Sequence, residues 1–110
     1  MGADGHTASL FPRSAELLQA LAVGGEDGGE DGGERRCLVA EVPDAPNVPV
    51  KRLSWTPRAL LATRHLAIHT TGIAKRELLQ RACASDDVRE MPIRLALWQD
   101  HVPCHLFHAD

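Results

Sequence analysis

The stretch from residue 65 to residue 83 constrains the fold more than any other part of the chain. Residues 65–70 read HLAIHT, an apolar-leaning run that is typical of a buried parallel strand. Thr71-Gly72 breaks this run, and Ile73 to Cys83 follow as an amphipathic helix. A strand, a tight glycine turn and a helix in that order form the βα unit of an open sheet, which predicts an α/β fold. The helix residues predicted to face the core are Ile73, Leu78, Leu79 and Ala82.

Shorter elements are predicted on both sides of this unit. Thr56 followed by Pro57 is an N-cap with proline at the first helical position, which predicts a helix to about Thr63. Residues 24–34 read GGEDGGEDGGE, and because glycine is costly to order and like charges repel, they are predicted to form a flexible, solvated acidic loop. The other predicted elements are a helix capped by Ser14 and ending at Gly24, and strands at Cys37–Val42, Lys51–Trp55, Ile93–Trp98 and Cys104–Phe107.

Length and charge limit the classes of function. With 110 residues the chain is short for a complete α/β enzyme, so residues 1–110 are expected to form a single partial domain. The formal net charge is −3, but removing the five acidic residues of the loop at 24–34 changes it to +2. That mild basicity suits a small anionic substrate, and it lacks the concentrated Lys and Arg patch that nucleic acid requires.

Cysteine usage and hydropathy address the compartment. Cys37, Cys83 and Cys104 are widely spaced and form no CxxC pair, which indicates a reduced, cytoplasmic chain. No apolar run approaches the ~20 residues that cross a bilayer, so no membrane contact is expected. The tail from His101 to His108 has His and Cys spacings that can ligate zinc, but Pro103 would break the helix that normally brings such ligands together. No metal is expected.

Residues 2–12, GADGHTASLFP, carry the strongest chemical signal. They place a carboxylate, an imidazole and two hydroxyls within eleven positions. Histidine is the side chain most easily poised to take a proton near neutral pH, and a carboxylate beside it can fix its tautomer. On the residues alone two interpretations stay open. One is a catalytic pair of Asp4 and His6, and the other is a turn in which Asp4, Thr7 or Ser9 caps a helix.

The same eleven residues resemble the signature of the 6-phosphogluconolactonase family. In that family a Gly-x-Asp-Gly-His-Thr-Ala-Ser-Leu-Phe-Pro segment carries the catalytic histidine, which corresponds to His6. The ending from Ser9 to Pro12 follows the lactonase version, whereas the related glucosamine-6-phosphate deaminases end in Asn-Glu-Pro. Residues 49–56 are similar to the family's proline-rich approach to an Arg-x-Thr/Ser-x-Thr strand. Residues 71–75 are similar to its Thr-Gly-x-x-Lys turn.

This resemblance implies a fold and a reaction. The fold would be the C-terminal half of a Rossmann-like open sheet of the phosphosugar isomerase/lactonase type. The reaction would be the hydrolysis of 6-phospho-D-glucono-1,5-lactone to 6-phosphogluconate in the oxidative pentose phosphate pathway, without metal or organic cofactor. His6 would act as general base with Asp4 in support, and the backbone N–H groups of Gly5 and Thr7 are candidates to stabilise the oxyanion.

The resemblance also nominates Arg52 and Lys75 as ligands of the substrate phosphate. The helix N-terminus near Lys75 supports this independently, because it offers unpaired N–H groups and a partial positive charge. Two alternatives to the lactonase stay open: an inactive remnant that binds sugar phosphates, and a deaminase or isomerase of the same superfamily. The uncovered sheet of a half-domain predicts self-association or pairing with a complementary N-terminal half.

Overall fold

The computed structural model describes residues 1–22, 36–43 and 50–110, so the predicted loop at 24–34 lies outside the described residues. The described part contains eight short elements in a mixed α/β arrangement. In chain order these are α1 (Ala15–Ala22), β1 (Cys37–Glu41), β2 (Lys51–Trp55), α2 (Pro57–Leu61), β3 (Leu66–Thr71), α3 (Ile73–Cys83), α4 (Arg94–Leu97) and β4 (Cys104–Ala109).

The β3–α3 unit has the form that its sequence predicts. β3 leads into Gly72, whose φ of 88° reverses the chain, and α3 begins at the next residue. β4 then lies parallel to β3, from Leu66 opposite Cys104 to Thr71 opposite Ala109. The prediction of a βα unit is confirmed, and the predicted strand at the end of the chain is confirmed as β4.

The inner side of α3 matches the prediction at three of its four positions. Leu78, Leu79 and Ala82 are buried, and they pack with Ile68 of β3 in the hydrophobic core. Ile73 is 58% exposed, so its assignment to the core was wrong. Ile73 is the first residue of α3, directly after the turn at Gly72. At this position the helix has not yet completed a turn, so the side chain lies outside the face that packs against the core.

β1 and β2 form a separate antiparallel pair with Ala40 opposite Arg52 and Leu38 opposite Ser54. One face of the pair is turned inward, because Ala40 and Ser54 are both buried. The other face presents large apolar side chains to solvent. They are Val39 (60% exposed), Leu53 (74%) and Trp55 (59%).

The caps of α1 and α2 follow the sequence closely. The Ser14 hydroxyl accepts a hydrogen bond from the Leu17 N–H (3.2 Å), as expected for the residue that precedes the helix. The Thr56 hydroxyl accepts one from the Ala59 N–H (3.2 Å), with Pro57 at the first helical position. α2 is shorter than predicted because it ends at Leu61.

The predicted strand at Ile93–Trp98 was wrong, because these residues form the short helix α4 with flanking turns. The N–H of Ala96 donates to the Ile93 carbonyl (3.1 Å), and the N–H of Trp98 donates to the Arg94 carbonyl (2.9 Å). All residues from Met91 to Ala96 are buried. A run that is buried on every side has no period, so its sequence does not distinguish a buried strand from a buried helical turn. None of the helices in the described ranges is long and apolar enough to span a membrane.

Candidate functional site

Residues 1–13, called the opening segment below, fold into a series of tight turns rather than a helix or strand. The Gly2 N–H donates to the His6 carbonyl (2.9 Å), and the Gly5 N–H donates to the Gly2 carbonyl (3.1 Å). Gly5 has a φ of 84°, a conformation that residues with a Cβ rarely adopt. The first turn therefore brings the side chains of Asp4 and His6 to the same side of the backbone.

Asp4 holds His6 through a single carboxylate oxygen. Asp4 Oδ1 accepts a hydrogen bond from the backbone N–H of His6 at 3.0 Å and lies 2.5 Å from its ring atom Nδ1. Because an ionised carboxylate has no proton to donate, the hydrogen in the second contact belongs to Nδ1. The other ring nitrogen, Nε2, then carries the lone pair in the neutral imidazole and is the atom able to accept a proton.

The pKa of Asp4 lies below the ordinary value for aspartate. Partial burial disfavours the charged form and raises the pKa, but the two hydrogen bonds from His6 and the attraction of its ring outweigh that effect. Asp4 is therefore ionised throughout the pH range in which histidine titrates. The fixed negative charge of Asp4 beside Nδ1 favours both the tautomer described above and the imidazolium that would form on proton uptake.

The ring of His6 is enclosed by Gly2 and Phe11. A Cβ built on Gly2 would stand 2.0 Å from His6 Cε1, so only glycine fits at that position. On another side the Phe11 ring lies with its centroid 4.8 Å from that of His6, tilted by 51°. The sequence singled out Gly2 only as part of a motif, and the close approach of its backbone to the imidazole is the physical reason for a glycine there.

The opening segment depends on contacts from distant elements. Ala8 and Arg13 have φ values of 51° and 56°, a left-handed conformation that costs on the order of 1–2 kcal/mol at each non-glycine residue. Leu10, which is fully buried, anchors the segment in the core. The Ser9 N–H donates to the hydroxyl of Ser54 on β2 (3.0 Å). Sequence reasoning missed Ser54, since nothing in the local pattern of a strand announces a partner 45 residues away.

Lys75 lies beside the opening segment, in the first turn of α3. Its Nζ donates to the carbonyl of Met1 at 2.6 Å, and its side chain is half-buried. An ammonium has three donors, so two remain for another acceptor. Lys75 also lines an open groove of about 610 Å³ along α3. The lining residues are Ala3, Ala74, Lys75, Glu77, Leu78, Gln80, Arg81 and Ala84.

Arg52 lies on a different element and is exposed on β2. Its side chain leaves the strand on the same face as that of Ser54, two residues later, so it lies about 7 Å along the strand from the contact with Ser9. Within the described ranges no hydrogen bond or ion pair involves the Arg52 side chain. Asp4 and His6 thus lie together within the opening segment, and Lys75 contacts this segment at Met1. Arg52 lies near the other side of the segment, close to the contact between Ser9 and Ser54.

The two predicted oxyanion donors differ in their availability. The Gly5 N–H is already donated to the Gly2 carbonyl, so it stabilises the turn. Thr7 pairs with Leu10 in an isolated antiparallel bridge, in which the Thr7 carbonyl accepts a hydrogen bond from the Leu10 N–H (3.0 Å). The Thr7 N–H is turned toward the Leu10 carbonyl in such a bridge, so its role as an oxyanion donor stays a prediction. No group of three or more His, Cys, Asp or Glu side chains in the described residues is arranged to hold a metal ion. Cys37, Cys83 and Cys104 are free thiols.

The architecture is that of an α/β domain in which a parallel βαβ unit stands beside a glycine-turn segment carrying Asp4 and His6. The family model described as glucosamine-6-phosphate isomerases/6-phosphogluconolactonase matches residues 1–104. The chain therefore belongs to this family.

Relatives of this chain are named 6-phosphogluconolactonase. The protein from Pseudomonas putida is 40% identical over 107 residues, which are 97% of this chain and 38% of the relative. The human protein is 36% identical over 101 residues, which are 92% of this chain and 33% of the relative. The crystal structure of a 6-phosphogluconolactonase from Shewanella baltica matches with a TM-score of 0.81 and 34% identity, over all of this chain and 42% of that one. This chain thus spans about two fifths or less of these proteins.

Proposed function

We propose that the chain carries the catalytic base of a 6-phosphogluconolactonase, which hydrolyses 6-phospho-D-glucono-1,5-lactone to 6-phosphogluconate. The observation that carries the proposal is the pair of Asp4 and His6, in which a carboxylate fixes Nδ1 and leaves Nε2 free to take a proton. The names of the relatives supply the reaction. The ending from Ser9 to Pro12 favours the lactonase over a deaminase or isomerase of the superfamily.

The proposed reaction has two steps. Nε2 of His6 accepts a proton from water, and the water oxygen bonds to C1 of the lactone to form a tetrahedral oxyanion, with the Thr7 N–H as candidate donor. The C1–O bond of the ring then breaks, and the imidazolium returns its proton to the departing ring oxygen. Asp4 stabilises the imidazolium between the two steps, as its ionised state and short contact with Nδ1 allow.

The phosphate of the substrate is proposed to bind at Lys75 and Arg52. α3 has eleven residues and begins at Ile73, and its N-cap, Gly72, makes no side-chain capping bond, so the N-terminus suits an anion. Lys75 lies in the first turn, and its Nζ donates to the Met1 carbonyl of the opening segment that holds His6. Arg52 is exposed, its side chain makes no hydrogen bond or ion pair in the part of the chain that the structure describes, and it would reach the phosphate from β2. Fixing the phosphate orients the ester relative to Nε2, which lowers the entropic part of the barrier.

We propose that this activity is cytoplasmic, in keeping with three free thiols.

We also propose a complementary N-terminal half as the partner that covers the exposed sheets. Two observations support such a partner. The relatives are more than twice as long as this chain, and apolar side chains such as Leu53 and Phe107 are more than half exposed on β2 and β4. Self-association is the alternative, and sedimentation of the purified chain decides whether it occurs.

The test of the catalytic proposal is lactone hydrolysis by the purified chain, corrected for the spontaneous rate. Loss of a positioned general base lowers rates by about 10²–10⁴-fold, so His6→Ala is expected to fall to the background. His69→Ala is the matched control, because His69 is exposed on β3 and no hydrogen bond, ion pair or ring contact among the described residues joins its side chain to the opening segment. If the wild type and His6→Ala are equally slow, the chain alone is not a lactonase.

A second candidate is an inactive chain that binds sugar phosphates. It is favoured by the position of Arg52, because no hydrogen bond or ion pair within the described residues joins its side chain to the site of His6. Calorimetric titration with 6-phosphogluconate separates the two candidates. Lys75→Met is expected to weaken binding by about tenfold or more, as for a lost charged hydrogen bond, while Lys51→Met on β2 leaves it unchanged. Binding without hydrolysis supports the second candidate, and the absence of both contradicts each proposal for the chain alone.

A further inference from the structure

Residues 87–94, called the clamp, comprise the turns before α4 and the first residue of that helix. The clamp hydrogen-bonds to the opening segment at two places, donating at one and accepting at the other. The Ile93 N–H donates to the carbonyl of Gly5 (2.9 Å), and the carbonyl of Arg89 accepts from the N–H of Arg13 (2.8 Å). The Met91 side chain lies against Gly5, at 3.0 Å from where a Cβ would stand. The turn that carries His6 is therefore held from outside by this clamp.

A single buried guanidinium fastens the clamp to α3. Arg94 is only 4% exposed. Its Nε and Nη2 donate to the carbonyls of Ala82 and Arg81, both at 3.0 Å, at the last turn of α3. Its Nη1 donates to the Asp87 carbonyl (3.1 Å) and to the Glu90 carboxylate (2.9 Å). The side chain thus joins the start of the clamp, its middle and the end of the neighbouring helix.

We propose that Arg94 is a positioning residue for the pair of Asp4 and His6. It fixes the clamp, the Ile93 N–H then fixes the carbonyl of Gly5, and Gly5 keeps the left-handed conformation that sets Asp4 beside His6. The catalytic meaning of this role rests on the proposed function. The structural connection from α3 through the clamp to Gly5 does not depend on that function, because it consists of the hydrogen bonds of Arg94 and Ile93 described above.

The chemistry of the site explains why arginine occupies it. The last carbonyls of a helix carry a partial negative charge and have no partner within the helix. A planar guanidinium offers five N–H donors in a fixed fork and stays charged at any accessible pH, so it satisfies several of these acceptors at once. Lysine at residue 94 would present one point charge with three donors in place of the planar fork, so it could not join the four acceptors in the same arrangement.

The test compares Arg94→Lys with Trp98→Phe. Trp98 Nε1 donates to the same Ala82 carbonyl (3.1 Å), but the residue lies beyond the clamp, so this control weakens the end of α3 without touching the connection to Gly5. Two quantities are measured in the whole chain: the tautomer of neutral His6 from its ring nitrogen resonances, and the hydrogen exchange of the Ile93 amide. Neither depends on turnover, so an inactive wild type would refute the proposed function and leave this test intact.

In Arg94→Lys we expect His6 to lose its preference for a proton on Nδ1 and the Ile93 amide to exchange about tenfold faster, as for one lost hydrogen bond. Trp98→Phe should lower the melting temperature and leave both readouts at their wild-type values. An unchanged tautomer in Arg94→Lys, or equal changes in both variants, overturns the proposal.

If Arg94→Lys does not fold, Glu90→Ala is the second variant. It removes one of the four hydrogen bonds of Arg94 at a half-exposed position, and it should shift both readouts in the same direction by a smaller amount. No shift there would also overturn it.

Discussion

The opening segment and the β3–α3 unit obtain their shapes from different sources. In the β3–α3 unit the strand, the turn at Gly72 and the helix follow from residues next to one another in sequence. In the opening segment the local residues oppose the observed shape at two places, since Ala8 and Arg13 are left-handed without being glycine. Hydrogen bonds from Ser54, Lys75 and the clamp hold that shape.

This difference shows why the chemically active region is the less regular one. A helix or a strand spaces its side chains by its own period, and neither period puts a carboxylate oxygen against both the backbone N–H and the ring of a residue two positions later. The turn through Gly5 does so, and the strain it requires is offset by burial of Leu10 and by the distant hydrogen bonds. Variants that remove local support or distant support separately therefore test whether the two regions differ in this way.

The largest effect is expected from the core anchor of the opening segment. Leu10→Ala removes a fully buried side chain and should lower the free energy of unfolding by about 3 kcal/mol. Ile73→Ala, at the start of α3, truncates an exposed aliphatic side chain and should change it by less than about 0.5 kcal/mol. Urea unfolding measures both, and equal losses would mean that the opening segment is not anchored through Leu10.

A smaller difference is expected between the two left-handed glycines. Gly72→Ala adds only backbone strain, on the order of 1–3 kcal/mol, because its φ of 88° and ψ of 153° suit glycine but nothing lies within 4 Å of its Cβ position. Gly5→Ala adds contacts with Met91 at 3.0–3.3 Å to a similar strain and should cost about 1 kcal/mol more. Thermal and urea unfolding of the two variants test this order. Equal costs would show that Met91 moves aside freely and that the clamp does not press on Gly5.

The smallest effect concerns the pH dependence contributed by Asp4. Its folded pKa lies below the unfolded value of about 3.9, so its contribution is complete above that value and is lost as the pH falls through the folded pKa. Because Asp4 is half exposed, the loss should stay below about 1 kcal/mol. Urea unfolding of the wild type and Asp4→Asn at pH 7 and pH 3 measures it. Parallel losses in both proteins would contradict a stabilising pair.

The sequence predicted most of the regular fold, because amphipathic spacing, a capping Thr56 and a turn at Gly72 are local signals. It failed at Ile93–Trp98, where an apolar run buried on all sides carries no period. The resemblance picked out Asp4, His6 and Lys75, which meet at the opening segment. The Arg-x-Thr/Ser-x-Thr pattern includes Ser54 without giving it a role, and nothing local pointed to Arg94. The roles of both arise only when distant segments meet.

In the opening segment, neutral His6 carries its proton on Nδ1 and its lone pair on Nε2, and the proposed catalytic role depends on this tautomer. The most direct measurement is the pair of ring nitrogen resonances of His6 in the wild-type chain, at a pH where the imidazole is neutral. We expect a protonated Nδ1 and an unprotonated Nε2 in the wild type, and loss of that preference in Asp4→Ala. A neutral His6 with its proton on Nε2, unchanged by Asp4→Ala, would contradict it.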